Sequence, residues 1–205
     1  MSSHLYAAYV LACLLATLIP GPTVTLIVAN GLRYGTRPAL LNVIGGQIGL
    51  GLMLLTVLVG LTSLIGAVGW LFDWLRLAGA AYLIWLGWKM FRAAGGSEDG
   101  AAPAKAPRGG FFLQGVLVAL SNPKTLLFFG AFFPQFLDPA RDHLTQIAIM
   151  GATAMLFAAI SDSAYALLSS RAGRLLSQKR IRLLSKVSGG FLIGGGLWLA
   201  STRAS

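Results

Sequence analysis

The sequence has 205 residues, of which 56% are apolar and 11% charged, where a soluble domain typically carries about a quarter charged residues. That balance excludes a disordered tail and argues against an ordinary water-soluble enzyme. Sixteen Lys and Arg against six acids give a net charge of +10. The basic residues fall in short clusters between long apolar runs, however, which argues against nucleic-acid binding and for an integral membrane protein. With only Cys13, the chain has no internal disulfide, no CxxC redox pair and no thiolate zinc site.

A helix needs about 20 apolar residues to cross a hydrocarbon layer roughly 30 Å thick. Six segments meet that requirement, at about Leu5–Leu32, Ala39–Gly66, Gly69–Met90, Phe111–Phe136, Leu144–Ser169 and Ser185–Ala200. The expected fold is therefore all-α, a single polytopic transmembrane domain over 1–205. The first ten residues carry no Lys or Arg, so the first span reads as uncleaved rather than as a secretory signal. The longest connection, 93–110, is rich in Gly, Ala and Pro and reads as a flexible loop.

The basic residues set the orientation. Arg33 and Arg37 lie in the first connection, and Lys89, Arg92, Lys105 and Arg108 in the third. Arg171, Arg174, Lys179, Arg180, Arg182 and Lys186 lie in the fifth, which brings the odd connections to twelve of the sixteen. Basic flanks stay cytoplasmic, so the third connection is a cytoplasmic loop and both termini face outward. Trp70, Trp74, Trp85, Trp88 and Trp198 fall towards span ends, as interfacial anchors do.

Cutting the chain between the third and fourth spans leaves halves of about 5–92 and 111–203. Three spans are an odd number, so the halves are expected as inverted repeats. The first span of each half is broken, at Pro20, Gly21, Pro22 and Thr23 and, about 100 residues on, at Ser121, Asn122, Pro123 and Lys124. Proline removes a backbone donor and clashes with the preceding turn, so each helix should kink or unwind there. Paired breaks in corresponding spans point to a substrate site at the membrane midplane.

Two charges lie at membrane depth. Lys124 is about 20 Å from the cytoplasmic end of its span, and Asp162 about 14 Å from the same face, at 1.5 Å per residue. Each costs roughly 2.5–3.5 kcal/mol at the bilayer centre, so both should face the interior and are candidate partners for one another. Asp162 is a candidate to exchange a proton or meet a substrate amine. Lys124 is a candidate to hold a carboxylate or carry a proton itself. A purely structural ion pair is the alternative. Thr23, Thr25, Asn30, Asn42, Gln47, Ser121, Asn122, Ser161 and Tyr165 are polar candidates for the same cavity. Gly45 with Gly49, and Gly190 with Gly194, have the spacing of close helix packing. No HxxxH or ExxH pair, no phosphate-cradling GKS or GKT loop and no GxSxG elbow occurs. No metal, nucleotide or other cofactor is therefore expected, and neither is an enzyme.

These blocks together resemble the LysE/RhtB family of bacterial amino-acid exporters. Pro20 to Pro22 looks like the family's first-span motif, and Gly31, Gly35, Gly45 and Gly49 match its glycine series. AGAAYLIWLGWKMFRA, Ala78 to Ala93, is similar to the third span of the homoserine and threonine branch. SNPKTLLFFGAFFPQFLDP, Ser121 to Pro139, looks like the fourth span over its full length, and DSAYALL from Asp162 matches a fifth-span pattern. The resemblance covers about residues 5 to 203. At Met53 many homoserine-branch members have a histidine instead.

The resemblance implies export of a small amino acid of the threonine, homoserine or leucine class in exchange for protons. The site residues would be Pro20, Gly21, Pro22, Thr23, Gln47, Asn122, Pro123, Lys124 and Tyr165 for substrate, with Asp162 and Lys124 for proton coupling. Alternatives are a cation or metal exporter and a non-transporting membrane scaffold. Ala-, Gly- and Arg-rich usage suggests a bacterium and its cytoplasmic (inner) membrane, and six spans leave room for a homodimer. The expected partners are the amino acid, protons and the lipid bilayer.

Overall fold

The computed structural model describes residues 3–62, 66–93, 107, 109–129, 133–138 and 141–201. They form eight α-helices and one short 3-10 turn, with no strand among the described residues. The helices are α1 Ser3–Leu18, α2 Pro22–Tyr34, α3 Thr36–Thr62, α4 Gly66–Ala93, α5 Gly110–Leu120, α6 Pro123–Leu127, α7 His143–Leu175 and α8 Gln178–Ser201. Most of the expected loop, at 94–106 and 108, lies outside the described residues, as do the side chains of Trp70 and Trp74.

Among the described residues, Thr36–Thr56 of α3, α7 and α8 are long and apolar enough to cross a membrane. The pair α1 and α2, bent by 44°, makes a fourth span if counted as one. At 28 residues, α4 is about 42 Å long and occupies the expected third span. The expected fourth span is divided at its expected break into α5, of 11 residues, and α6, of 5.

The outer faces are apolar, and several polar side chains are buried within an otherwise apolar core. Ile44, Ile48, Leu52 and Leu55 of α3, Leu156 and Ile160 of α7, and Phe191 and Trp198 of α8 are exposed. Asn30, Asn42, Gln114, Asn122 and Asp162 are buried. Apolar faces turned outward and amides turned inward suit a hydrocarbon solvent, in which every polar group must find an internal partner. The Asn30 amide nitrogen meets that demand between three helices. It donates to Asn42 Oδ1 at 2.7 Å and to Gln114 Oε1 at 3.0 Å, and Asn42 in turn donates to the Phe111 carbonyl at 2.6 Å.

Helix neighbours follow the two halves. α3 packs on α5 and α7 on α2, α2 packs on α8 and α4 on α5, and α4–α8 and α3–α7 pair across the middle. α2 also packs on α3, and α1 on α7. Gly45 and Gly49 let α3 lie directly on α5, since a Cβ at Gly45 would stand 2.1 Å from the Phe112 carbonyl oxygen. The expectation for Gly190 and Gly194 does not hold, because a Cβ on either would meet nothing within 4 Å. α8 turns Gly189 and Gly196 to α4 instead, with positions for a Cβ 2.7 Å from the Gly87 carbonyl oxygen and 2.8 Å from that of Ala80. Leu192 and Leu199 are buried on the same α8 face, so its packing register is i, i+3, i+7, i+10.

Candidate functional site

Both predicted breaks are present, and they touch. α1 stops at Leu18, and α2 restarts with Gly21 extended at its N-cap and Pro22 in its first turn. α5 stops at Leu120, and α6 restarts with Asn122 as N-cap and Pro123 in its first turn. Asn122 serves both breaks. Its Oδ1 accepts the Lys124 backbone N–H at 3.1 Å, capping α6, while its Nδ2 donates to Thr23 Oγ1 at 2.9 Å across 99 residues of sequence. A Cβ on Gly21 would lie 3.5 Å from Asn122 Oδ1, so the side chain of the second break packs against the backbone of the first.

The last carbonyls of a helix have no intrahelical donors, and inside a membrane water cannot supply them. Lys124 fills that role for α1. Its ammonium donates to the Ala16 and Ile19 carbonyls, each at 2.8 Å. The expected direct ion pair between Lys124 and Asp162 is therefore not formed in this structure. The orphaned carbonyl dipoles at the α1 terminus take the ammonium instead.

A cavity of roughly 90 Å³ opens beside the junction, several times the about 10–15 Å³ that one water needs. Gly21, Thr23, Asn122, Lys124, Ser161 and Asp162 supply its polar wall, and Cys13, Leu50, Phe128 and Phe129 its apolar wall. Asp162, on α7, is only 7% exposed and makes no hydrogen bond or ion pair among the described residues. A carboxylate buried without donors is costly, so it requires a proton, a cation or water from the cavity it lines.

The other expected site residues lie elsewhere. Pro20 is exposed at the bend, and Pro22 and Pro123 are buried in the helix starts, so these prolines shape the breaks without lining the cavity. Gln47 sits on α3 against α7. With its amide turned to suit both partners, it donates to the Met155 carbonyl and accepts the Ala159 N–H, each at 3.2 Å. Tyr165 packs with Ile27, Ala39, Val43 and Ala166 rather than facing the cavity. Although it shares a face with Asp162 along the helix, α2 and α3 cover that next turn. Met53 is buried among Tyr9, Cys13, Phe129 and Phe133, in an apolar cluster adjoining the cavity.

Sequence reasoning missed Cys13, Thr17, Phe128 and Phe129. The aromatic pair follows the second break directly, which was the available signal. Among the described residues, no group of three His, Cys, Asp or Glu side chains comes together.

A bundle with an apolar exterior, buried polar side chains and two broken helices meeting at a cavity has the features of a membrane translocation protein. The sequence comparisons agree: residues 14–203 match the LysE type translocator family, and the chain belongs to it. It is 34% identical over 205 residues, covering 100% of both chains, to an uncharacterized membrane protein of Vibrio cholerae. It is 36% identical over 168 residues, 82% of each chain, to the homoserine/homoserine lactone efflux protein of Salmonella typhimurium. It is 33% identical over 134 residues to the leucine efflux protein of Klebsiella pneumoniae, covering 65% of this chain and 63% of that one. No solved structure matches the chain at a significant level.

Proposed function

We propose that this protein exports a small neutral amino acid or a close derivative from the bacterial cytoplasm, across the inner membrane, in exchange for protons. The threonine, homoserine and leucine class is the expected cargo, in keeping with the names of the two efflux relatives. The observation that carries the reading is Asp162, a buried carboxylate with no hydrogen bond or close ion pair among the described residues, on the wall of the cavity where both helix breaks meet.

Homoserine and leucine share an α-ammonium and an α-carboxylate. Asp162 receives the ammonium, or a proton when the cavity is empty of substrate. Thr23, Asn122 and Lys124, which line the same cavity, receive the carboxylate. For Lys124 to do so its ammonium leaves the Ala16 and Ile19 carbonyls, which loosens the end of α1 as substrate binds. Proton and substrate ammonium compete for one carboxylate, which couples their movements as exchange provided the unloaded carrier does not reorient. The arrangement of spans is six in two inverted halves, with both termini outside. The matching places of the two helix breaks support the repeat, and the basic odd connections support the orientation.

The test uses purified protein in liposomes loaded in turn with labelled threonine, homoserine, leucine and lysine. Efflux is followed with and without an imposed proton gradient, against empty liposomes. Gradient-dependent release of one or two neutral amino acids is expected, and Asp162→Asn should abolish the dependence on the gradient. Wild-type coupled efflux by Asp162→Asn would refute the role given to Asp162.

A further inference from the structure

A second pocket, distinct from the cavity at the breaks, lies between α2, α4, α5 and α8. Arg33, Tyr34, Lys89, Asn30, Gln114 and Ser185 line it. On α2, Asn30 is two turns beyond Thr23, so the pocket lies about 10 Å from the cavity along that helix. It is at the basic end of the bundle. There α2 ends beside α7, where a Cβ on Gly173 would stand 2.5 Å from the Leu32 carbonyl oxygen, and Lys186 of α8 lies 6.0 Å from the Phe91 ring of α4.

Its chemistry is two-sided. Arg33 and Lys89 are exposed at the rim and have no acidic partner among the described residues. Each rests on an aromatic face, Arg33 5.5 Å from the Tyr34 ring and Lys89 5.2 Å from the Trp85 ring. The deeper wall holds three buried polar side chains with unused capacity: Asn30, Gln114 and Ser185, 6%, 7% and 4% exposed. The Asn30 amide nitrogen and Gln114 Oε1 are occupied by the interhelical bonds described above. That leaves the Asn30 carbonyl oxygen, both Gln114 amide hydrogens and the Ser185 hydroxyl without partners among the described residues. Buried polar groups are ordinarily satisfied, and these three line one pocket together with the two cations.

We propose that this pocket is a second binding site, specific for a small molecule carrying a carboxylate, and that it loads the translocation cavity. Arg33 and Lys89 attract the oxyanion, and the Gln114 amide donates to it. The Asn30 carbonyl and Ser185 hydroxyl accept from an adjacent ammonium. An acceptor at the base favours a zwitterion over the phosphate of an anionic lipid, which has need only of donors. The choice of amino acids as ligands rests on the transport reading; the carboxylate specificity does not.

The test uses the full chain in phosphatidylcholine vesicles and, separately, in vesicles containing phosphatidylglycerol. Phenylglyoxal modification of Arg33 is read by peptide mass spectrometry, with Arg37 as the exposed control. Leucine, homoserine or acetate, at about ten times its dissociation constant, should slow Arg33 labelling about tenfold. Leucinol, which lacks the carboxylate, should not, and Arg37 should be unaffected. Lys89→Gln should weaken the protection several-fold and Lys89→Arg should restore it. Absence of protection by all three carboxylates, equal protection by leucinol, or protection by phosphatidylglycerol alone would overturn the proposal. Labelling requires no flux. Protection without export of either amino acid would refute the transport reading alone, and export without protection would refute the pocket alone.

Discussion

Replacing Asn122 by alanine perturbs both helix breaks at once. The substitution removes the α6 N-cap, worth about 1 kcal/mol, and leaves the Lys124 backbone N–H without its acceptor at a position where the native side chain is only 3% exposed. It also removes the bond to Thr23 Oγ1, worth about 0.6–1 kcal/mol for a polar contact between membrane helices. The sum, about 1.5–2 kcal/mol, shifts the unfolding equilibrium roughly 10- to 30-fold. Unfolding by SDS titration in mixed micelles, followed by circular dichroism, measures it. Thr23→Val removes the same bond from the other side while keeping the side chain's shape. In the double variant the two losses should overlap by about 0.6–1 kcal/mol, the energy of the shared bond. Strict additivity of Asn122→Ala and Thr23→Val would refute the contact between the breaks, and with it the geometry from which the cavity is built.

Glycine substitutions separate packing faces from open ones. Gly45→Ala should destabilise the protein by about 1–3 kcal/mol in the same titration, because the new methyl collides with backbone of α5. Gly190→Ala and Gly194→Ala should be neutral or stabilising by up to about 1 kcal/mol, since they gain helix propensity in open space. Tyr165→Phe should leave efflux rate and affinity unchanged, as the ring packs in a core cluster away from the cavity; a severalfold loss in liposome efflux would place its hydroxyl in the pathway. Asp142, exposed ahead of α7, caps that helix by accepting the Thr145 N–H at 2.7 Å. The Thr145 side chain and backbone N–H hold its carboxyl below the usual carboxylate range. A depressed folded value means that the stabilisation is complete above the unfolded value near about 3.9 and fades as pH falls through the lower folded value. Thermal unfolding between pH 7 and pH 3 should show that loss in the wild type and not in Asp142→Asn, which keeps a capping oxygen without the titration.

Sequence alone determined the class of protein, the two breaks and the two deep charges, because each rests on local chemistry. Long apolar runs have only one favourable environment, proline interrupts a helix wherever it stands, and a charge in an apolar segment must turn inward. The family resemblance likewise rested on contiguous blocks such as Ser121 to Pro139. What each of these groups faces was decided by tertiary structure. Lys124 and Asp162 are the best available charge pair on paper. Only the folded bundle shows that the first break leaves carbonyls at Ala16 and Ile19 within reach of the lysine, and that Asp162 is left open to a cavity. Helical spacing places Tyr165 with Asp162 but cannot report that α2 and α3 cover one turn and not the other. The glycine series in α8 offers several registers of equal merit, and the choice of Gly189 and Gly196 over Gly190 and Gly194 depends on where α4 lies. Periodicity fixes which residues share a face, whereas the neighbour that covers that face comes from distant sequence and is settled only when the helices pack.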